Sequence, residues 1–324
     1  MMELGERKAI ELIQDILSCA SIDVLGMEDD CAAVEFKDEY LLLTTDMISG
    51  EAHIPENAAP WQIGWYVVAI NLSDIAAMGG EPFGLVVALG LPQNYDVESL
   101  KKIVEGMNSC ALKFNSSILG GDTKEAEAIT ISGCALGRVK KSDIMLRKGC
   151  KPKDIVAVTG ELGLAAAGYY SAKNIFNEEK GIKNLLEVQP RVNEGMALAK
   201  TGVVTACMDI SDGLASSIYQ LGRINGLGFK LVFDQIPISI DANIISEKLQ
   251  IPIEELALYF GGEYELLFTI DRNDIDEVQK ALSKFGTKLT PIGEVVKEKK
   301  NTLIKDGVST FLKNRGYEHF RRKP

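Results

Sequence analysis

Short apolar runs and longer stretches of helical period alternate along the chain. CAAVEF (31–36) and LLLTTD (41–46) read as neighbouring strands. A long helix is expected from about Pro60 to Gly79. Next come a strand at 83–91 (FGLVVALGL), a helix at about 96–113, and strands in SSILGG (116–121) and AITISGCALGRV (128–139). The second half repeats the style. IVAVTG, VVTACMDI, GFKLVFD, ELLFTI and KLTPIGEVV read as strands. Helices are expected in LGLAAAGYYSA, in SDGLASSIYQLGRI and at about 272–285. Some neighbouring strands are close enough for hairpins, which favours mixed α+β layers over a strictly parallel sheet. The basic, turn-rich run RKGCKPKD (147–154) places a boundary near 140–152. The chain then divides into 1–140 and 141–324.

One segment breaks the pattern. IGWYVVAINLSDIAAMG (63–79) reads as core, yet it keeps a single charge, Asp74. An unpaired buried carboxylate costs several kcal/mol. The segment is shorter than the roughly 20 apolar residues of a membrane span, and Asn71, Ser73 and Asp74 interrupt it. It is either a buried helix with a satisfied polar spot or a helix that carries a ligand to a site.

Other carboxylates also sit at element ends beside small or hydroxylated residues. They are Asp29 and Asp30 before the first strand, Asp46 ending LLLTTD, Asp122 in ILGGDT, and Asp209 and Asp212 in ACMDISDGL. Each has a plain alternative. Asp212 or Ser211 could cap a helix, Asp122 could serve a turn, Asp46 could end a strand, and Asp29 with Asp30 could be a solvated pair. If they converge, their repulsion demands cations. Oxygen ligands, with Thr44, Thr45 and Ser211 nearby, suit Mg²⁺ rather than Zn²⁺.

Composition narrows the chemistry. The net charge of −11 argues against nucleic acid or an anionic membrane as partner. It would also repel a phosphorylated substrate unless metal ions intervene. The six cysteines, at 19, 31, 110, 134, 150 and 207, form no CxxC pair and read as reduced core residues of a cytoplasmic protein. The N-terminus looks like an amphipathic helix and lacks the parts of a signal peptide. With only His53 and His319, a histidine-based zinc site is not expected. GxxxxGK[ST], GxGxxG opening a helix after a strand, and GxSxG are all absent. ATP can still be handled without them, its phosphates held through several Mg²⁺ ions.

A set of motifs in order then resembles one family. GMEDDCAAV is similar to GIGDDAAV, TTDMISGEAHI to STDTLVEGVHF, and NLSDIAAMGGEP to NLSDLAAMGAEP. GGDT, RKGCKPKD, VTGELGLAAAG, DISDGLASSI, GGEYELLF and GYEHF follow in register. The chain thus resembles the thiamine-monophosphate kinases, of the ATP-binding superfamily that includes aminoimidazole ribonucleotide synthetase. The resemblance implies a two-domain fold. An ATP- and Mg-binding, dimer-forming domain spans 1–140, and an α/β domain at 141–324 completes the site. It implies a homodimer paired through N-terminal strands and transfer of the ATP γ-phosphoryl group to thiamine monophosphate. By position it makes Asp30, Asp46, Asp74, Asp122 and Asp209 Mg²⁺ ligands, with Thr44, Thr45 and Asp212. Gly121, Asp122, Arg147 and Ser211 would meet ATP. His53, Glu263, Tyr317 and Phe320 would face the thiamine substrate.

Three departures matter. GGEDYEL is shortened to GGEYEL, so Glu265 competes with Glu263 for the substrate role. Glu28 replaces a glycine before Asp30. Lys124-Glu125-Ala126 stands where the family has Thr-Arg-Gly. Lys124 either restores that positive charge or is solvated. Sister enzymes fit less well: no reactive Cys lies in a glycine-rich segment before Cys19, and the chain ends RRKP rather than in Cys. A non-catalytic nucleotide-binding protein would have lost several of these acids, and all are present.

Overall fold

The computed structural model describes residues 5–16, 24–25, 28–173 and 177–320. Cys19 lies outside them. The chain begins with α1 (Glu6–Ile16), β1 (Val24–Leu25), β2 (Ala32–Phe36) and β3 (Glu39–Ser49). It continues through α2 (Gly50–His53), α3 (Pro60–Ala77), β4 (Glu81–Leu91), α4 (Val97–Lys113), β5 (Ile118–Glu125) and β6 (Thr130–Lys140). The strands form one sheet in the order β1-β2-β3-β6-β4-β5. Only β4 and β5 pair in parallel, and α4 supplies the crossover that a parallel pair requires.

Side chains alternate across β3 as the period of two dictates. Leu42, Thr44, Asp46 and Ile48 face inward, where α3 packs on β3 and β6. Leu43, Thr45 and Met47 face the other way. That outer face also leaves Val86 and Leu119 exposed.

Helix α3 starts at Pro60, whose missing N–H is no loss in a first turn. It is apolar all round because it is enclosed all round. The sheet lies on one side, α4 on another, and elements of the second half meet its C-terminal part. It crosses α4 at two glycines. A Cβ on Gly64 would come within 1.9 Å of the Ile103 carbonyl oxygen, and one on Gly106 within 1.9 Å of that of Trp61.

The second half runs β7 (Ile155–Val158), α5 (Leu164–Lys173), α6 (Glu178–Leu186), α7 (Val192–Thr201), β8 (Val204–Asp209), α8 (Leu214–Asn225) and β9 (Gly228–Val232). It closes with α9 (Ile240–Leu249), α10 (Ile253–Ala257), β10 (Leu266–Ile270), α11 (Ile275–Ser283), β11 (Thr290–Val296), β12 (Thr302–Lys305) and β13 (Val308–Phe311). Its sheet has the order β13-β12-β9-β11-β7-β10-β8 and is also mixed, since β12 and β9 are parallel. The expected α+β layering is therefore present in both halves.

Several elements go beyond the sequence reading. Helices α6 and α7 carry central glycines, which cost helices about 1 kcal/mol against alanine. Packing overrides that cost: a Cβ on Gly195 would meet the Ala76 carbonyl oxygen at 2.2 Å. The β12–β13 hairpin turns on Asp306-Gly307, both at positive φ, which is the two-residue turn that an Asp-Gly pair favours.

Gly106→Ala should therefore destabilise the protein by about 3 kcal/mol through overpacking at the α3–α4 crossing. Urea unfolding measures it. A loss under about 1 kcal/mol would mean that the crossing yields without strain.

Candidate functional site

The polar residues that interrupt α3 reach two strands, Asn71 and Asp74 meeting β3 and Ser73 meeting β8. Asn71 is anchored by donating from Nδ2 to the Val67 carbonyl at 2.8 Å, and its Oδ1 accepts the Asp46 backbone N–H at 3.0 Å. Ser73 Oγ donates to Asp209 Oδ2 at 2.6 Å. Asp74 Oδ2 accepts the Thr44 hydroxyl at 2.5 Å. The helix thus ties the inward face of β3 to the end of β8, one strand from each sheet. The turn before β2 adds Asp30. Carboxylate oxygens of Asp30, Asp74 and Asp209 lie within 4.8 Å of one another.

The positive partner recorded at this centre is Arg147. Its Nη2 lies 2.5 Å from Asp30 Oδ1 and its Nε 3.2 Å from Asp30 Oδ2. The Arg147 backbone N–H donates to Asp29 Oδ1 at 2.6 Å, and Gln220 accepts from Nη1. Burial works against the Arg147 charge, but Asp30, Asp209 and Asp74 more than restore it and raise its pKa. The carboxylates go the other way. Burial, then the charges of Asp46, Asp209 and Asp30, pushes Asp74 well above the carboxylate range despite the Thr44 hydroxyl. Burial and Asp30 push Asp209 up to about 8, and the same two causes push Asp46 to about 6. Like charges at this separation repel by about 3–4 kcal/mol at an effective dielectric of 20. One guanidinium cannot offset that for the whole group. Donor chemistry and crowding fit a hard, oxygen-loving cation such as Mg²⁺.

The other expected site residues are placed variously. Thr44 belongs to the cluster through Asp74. Thr45 does not: its hydroxyl lies on the outer face and donates to the Gly133 carbonyl at 2.8 Å. Asp122 is also on the outer face, on edge strand β5. It is separated from β3 by β4 and β6, or roughly 14 Å at the usual strand spacing. Its side chain is 64% exposed, with Lys124 Nζ at 3.7 Å. Beside it, Gly121 allows close strand pairing, since a Cβ there would meet the Val87 carbonyl oxygen at 1.8 Å. Ser211 and Asp212 lie in the loop between β8 and α8. Their carbonyls accept the N–H groups of Gly262 at 2.6 Å and Tyr317 at 3.0 Å, so this loop gathers two distant segments.

Glu263 does not face open space. It accepts the Gly163 N–H at 2.9 Å at the start of α5, and burial pushes its pKa up to about 8. Its competitor Glu265 is engaged by Arg191 through Nε and Nη2, both at 2.6 Å, and by the Thr159 hydroxyl. The residue between them, Tyr264, is buried at φ +53 and meets the Tyr66 hydroxyl at 3.2 Å. His53 accepts the Ser49 N–H and lies 5.2 Å from the His319 ring. His319 in turn lies 4.9 Å from Tyr317 and 6.2 Å from Phe320. Burial and His319 lower the His53 pKa.

His319, Asn71, Ser73 and Arg191, the partner of Glu265, are positioning features that sequence reasoning did not assign. Only Asn71 and Ser73 carried a signal, as polar residues in an apolar helix.

Comparison with known proteins gives a consistent result. Residues 28–139 match the model of the AIR synthase related protein, N-terminal domain. Residues 151–306 match that of the C-terminal domain. A thiamine-monophosphate kinase of Methanospirillum hungatei is 35% identical over 316 residues, covering 98% of this chain and 99% of its own. One from Bacillus subtilis is 31% identical over 314 residues, covering 93% and 95%. The solved structure of AaThiL complexed with AMPPCP and TMP matches with a TM-score of 0.86 and 28% identity over 98% of both chains.

The raised carboxylate pKa values fix a sign. From the ordinary 3.8 up to about 6 for Asp46 and about 8 for Asp209, the folded state keeps protons that the unfolded chain has released. This contribution to stability is complete below about pH 4 and is lost as pH rises through those values. Thermal melts in chelator should show the midpoint falling from about pH 5 to pH 8, and falling less in Asp209→Asn. Equal pH dependence in the two proteins would contradict the assignment.

Proposed function

We infer what this chain does from its kinship: it belongs to the AIR synthase related family and, within it, to the thiamine-monophosphate kinases. It phosphorylates thiamine monophosphate to thiamine diphosphate at the expense of ATP. The observation that carries the mechanism is the acidic centre that α3 assembles from the β2 turn, β3 and β8.

The acceptor is a phosphate monoester with a second pKa of about 6, so at neutral pH it is mostly a dianion and needs no general base. A histidine beside the carboxylates is therefore unnecessary. The obstacle is an anion approaching an anion. Magnesium held by Asp30, Asp46, Asp74 and Asp209 would supply counter-charge to the phosphates and the charge spreading over the transferred group. The chain's own part is preorganisation. Thr44 orients Asp74, Ser73 orients Asp209, and Asn71 fixes the backbone at Asp46. Arg147, already aligned on Asp30, is the cation next to the nucleotide phosphates, and Ser211 lies on the loop after β8.

The remaining roles follow the family pattern. Asp212 takes a further metal. His53, Tyr317 and Phe320 line the thiamine side, with Glu263 setting the start of α5 against it. Thr45 and Asp122 sit on the outer sheet face, away from the cluster of their own chain, with Gly121 beside Asp122 on the edge strand β5. Their nucleotide and metal roles call for a homodimer that covers this face. Exposed Leu43, Met47, Val86 and Leu119 support such pairing, because a flat apolar sheet face is costly to leave in water. We place the domain boundary at 140/141, where β6 ends. A cytoplasmic location is supported by the described cysteines, all of them free. No described helix is long and apolar enough to cross a membrane.

An ADP-release assay with Mg·ATP tests the reaction. Thiamine monophosphate should be turned over and free thiamine should not. Asp74→Asn should lose roughly 100-fold or more in turnover. Its metal-free thermal midpoint should equal or exceed that of wild type, since a neutral amide can sit among the other carboxylates without first binding a proton. Robust phosphorylation of thiamine, or near-normal turnover in Asp74→Asn, would sink the mechanism.

Met47→Glu puts a charge on the proposed dimer face. It should convert a dimer into a species near 35.3 kDa by light scattering. A wild type already at that mass would remove the dimer from the account.

A further inference from the structure

Tyr66 of α3 and Tyr264, in the loop before β10, bring their hydroxyl oxygens to 3.2 Å across the junction of the two halves. The rings meet edge to face, with centres 6.1 Å apart, and both residues are buried. Two phenols carry two protons, and only one lies between the oxygens. Among the described residues, no group accepts the second. A buried O–H without an acceptor is costly. The plain alternative is a proton that serves only water. The two readings differ in what removal of the hydroxyl does to the reaction.

The pair stands where the two substrates have to meet. Tyr66 lies on nearly the same side of α3 as Ser73, since seven residues fall about 20° short of two turns, and Ser73 holds Asp209. Tyr264 donates its N–H to the carbonyl of Ile210, directly after Asp209, at 2.9 Å. The charges around the hydroxyls agree. Tyr264 feels Asp46 and Asp209, and Tyr66 feels Asp46 and Tyr317. Asp46 belongs to the carboxylate side of the site and Tyr317 to the thiamine side, so the hydroxyls lie between them. Burial above all, helped by these charges, pushes the Tyr66 hydroxyl up to about 12 and that of Tyr264 well above the tyrosine range. Both therefore remain neutral donors at neutral pH.

The backbone is bent to hold this arrangement. Tyr264 has φ +53, a left-handed conformation that a bulky residue rarely adopts. Its neighbours enforce it. Arg191 grips Glu265 through Nε and Nη2, and the Leu266 N–H donates to the Thr159 hydroxyl at 2.8 Å. Strain of this kind persists where the surroundings over-determine it, and it collects at working sites.

We propose that the second proton of the Tyr66–Tyr264 pair is donated to an oxygen of the phosphoryl group in transit, as a neutral hydrogen bond at the transition state. The tyrosine that makes this bond is a catalytic residue, and the other positions it. The hydroxyl keeps its proton throughout. The bond from the γ-phosphorus to ADP breaks, the bond to the acceptor phosphate oxygen forms, and the tyrosine is neither acid nor base. A neutral donor steadies the charge on the transferred oxygens without adding a cation that would hold ADP in place. The proposal rests on the thiamine-monophosphate kinase reading and deepens it.

Steady-state constants for wild type, Tyr66→Phe, Tyr264→Phe and the double variant test it. Phenylalanine keeps each ring, and thermal melts confirm that the variants are folded. One single variant should lose about tenfold or more in kcat, with both KM values within about twofold of wild type. The double variant should fall within about threefold of that one, because the pair has a single proton to give. A second readout needs no turnover. Aluminium fluoride with Mg·ADP and thiamine monophosphate mimics the group in flight. By titration calorimetry it should bind about tenfold more weakly to that same variant, while Mg·ADP alone binds as to wild type. Near-wild-type kcat in both single variants, a change confined to the KM for thiamine monophosphate, or undiminished binding of the fluoride complex overturns the donor role and leaves the kinase reading intact. A wild type that does not phosphorylate thiamine monophosphate overturns both.

Discussion

Carboxylate oxygens of Asp30, Asp74 and Asp209 within 4.8 Å of each other, with Asp46 on the adjoining strand, set the terms for the rest of the molecule. Water would screen these charges, but the fold removes most of it. The Asp209 residue is 2% exposed, and the Asp30 side chain 1%. Such a group persists in a folded chain only if protons, a guanidinium or metal ions offset the repulsion. Arg147 does so for Asp30 in the metal-free protein, and the raised pKa values of Asp74 and Asp209 favour protons on those two. The same crowding that raises the carboxylate pKa values makes the group one that could hold a metal ion.

The fold can be read as the device that holds this arrangement against its own repulsion. Helix α3 is gripped on all sides, and it crosses α4 and meets α7 at glycines where no Cβ fits. Its polar residues then have little freedom. Asn71, Ser73 and Asp74 reach β3 and β8 in fixed directions, so strands from two separate sheets share one centre. A loosely packed α3 would let the carboxylates drift apart.

Much of this was legible in the chain. Asp74 stands out because a charge in an otherwise apolar helix is costly, and of the acids at element ends Asp30 and Asp209 lie beside it. The α+β layering followed from strand and helix periods. Thr45 neighbours Thr44 in sequence but faces the opposite side of β3, a matter of parity that a motif does not display. Asp122 was grouped with the cluster from its motif, although the strand order puts β6 and β4 between them. Sequence order does not reveal sheet order when a crossover intervenes. Glu263 and Glu265 could not be told apart until the structure showed one capping α5 and the other paired with Arg191. The tilted contact of His53 with His319 joins residues far apart in the chain, and no local pattern announces it.

The central claim is that protons on Asp74 and Asp209 stand in for metal ions and leave when those ions bind. Titration calorimetry of Mg²⁺ into the metal-free protein near pH 7, repeated in buffers of different ionisation enthalpy, counts the protons released per protomer. The account predicts a net release near neutral pH, reduced in Asp209→Asn. Binding of Mg²⁺ at pH 7 with no release of protons, or with uptake, would contradict it.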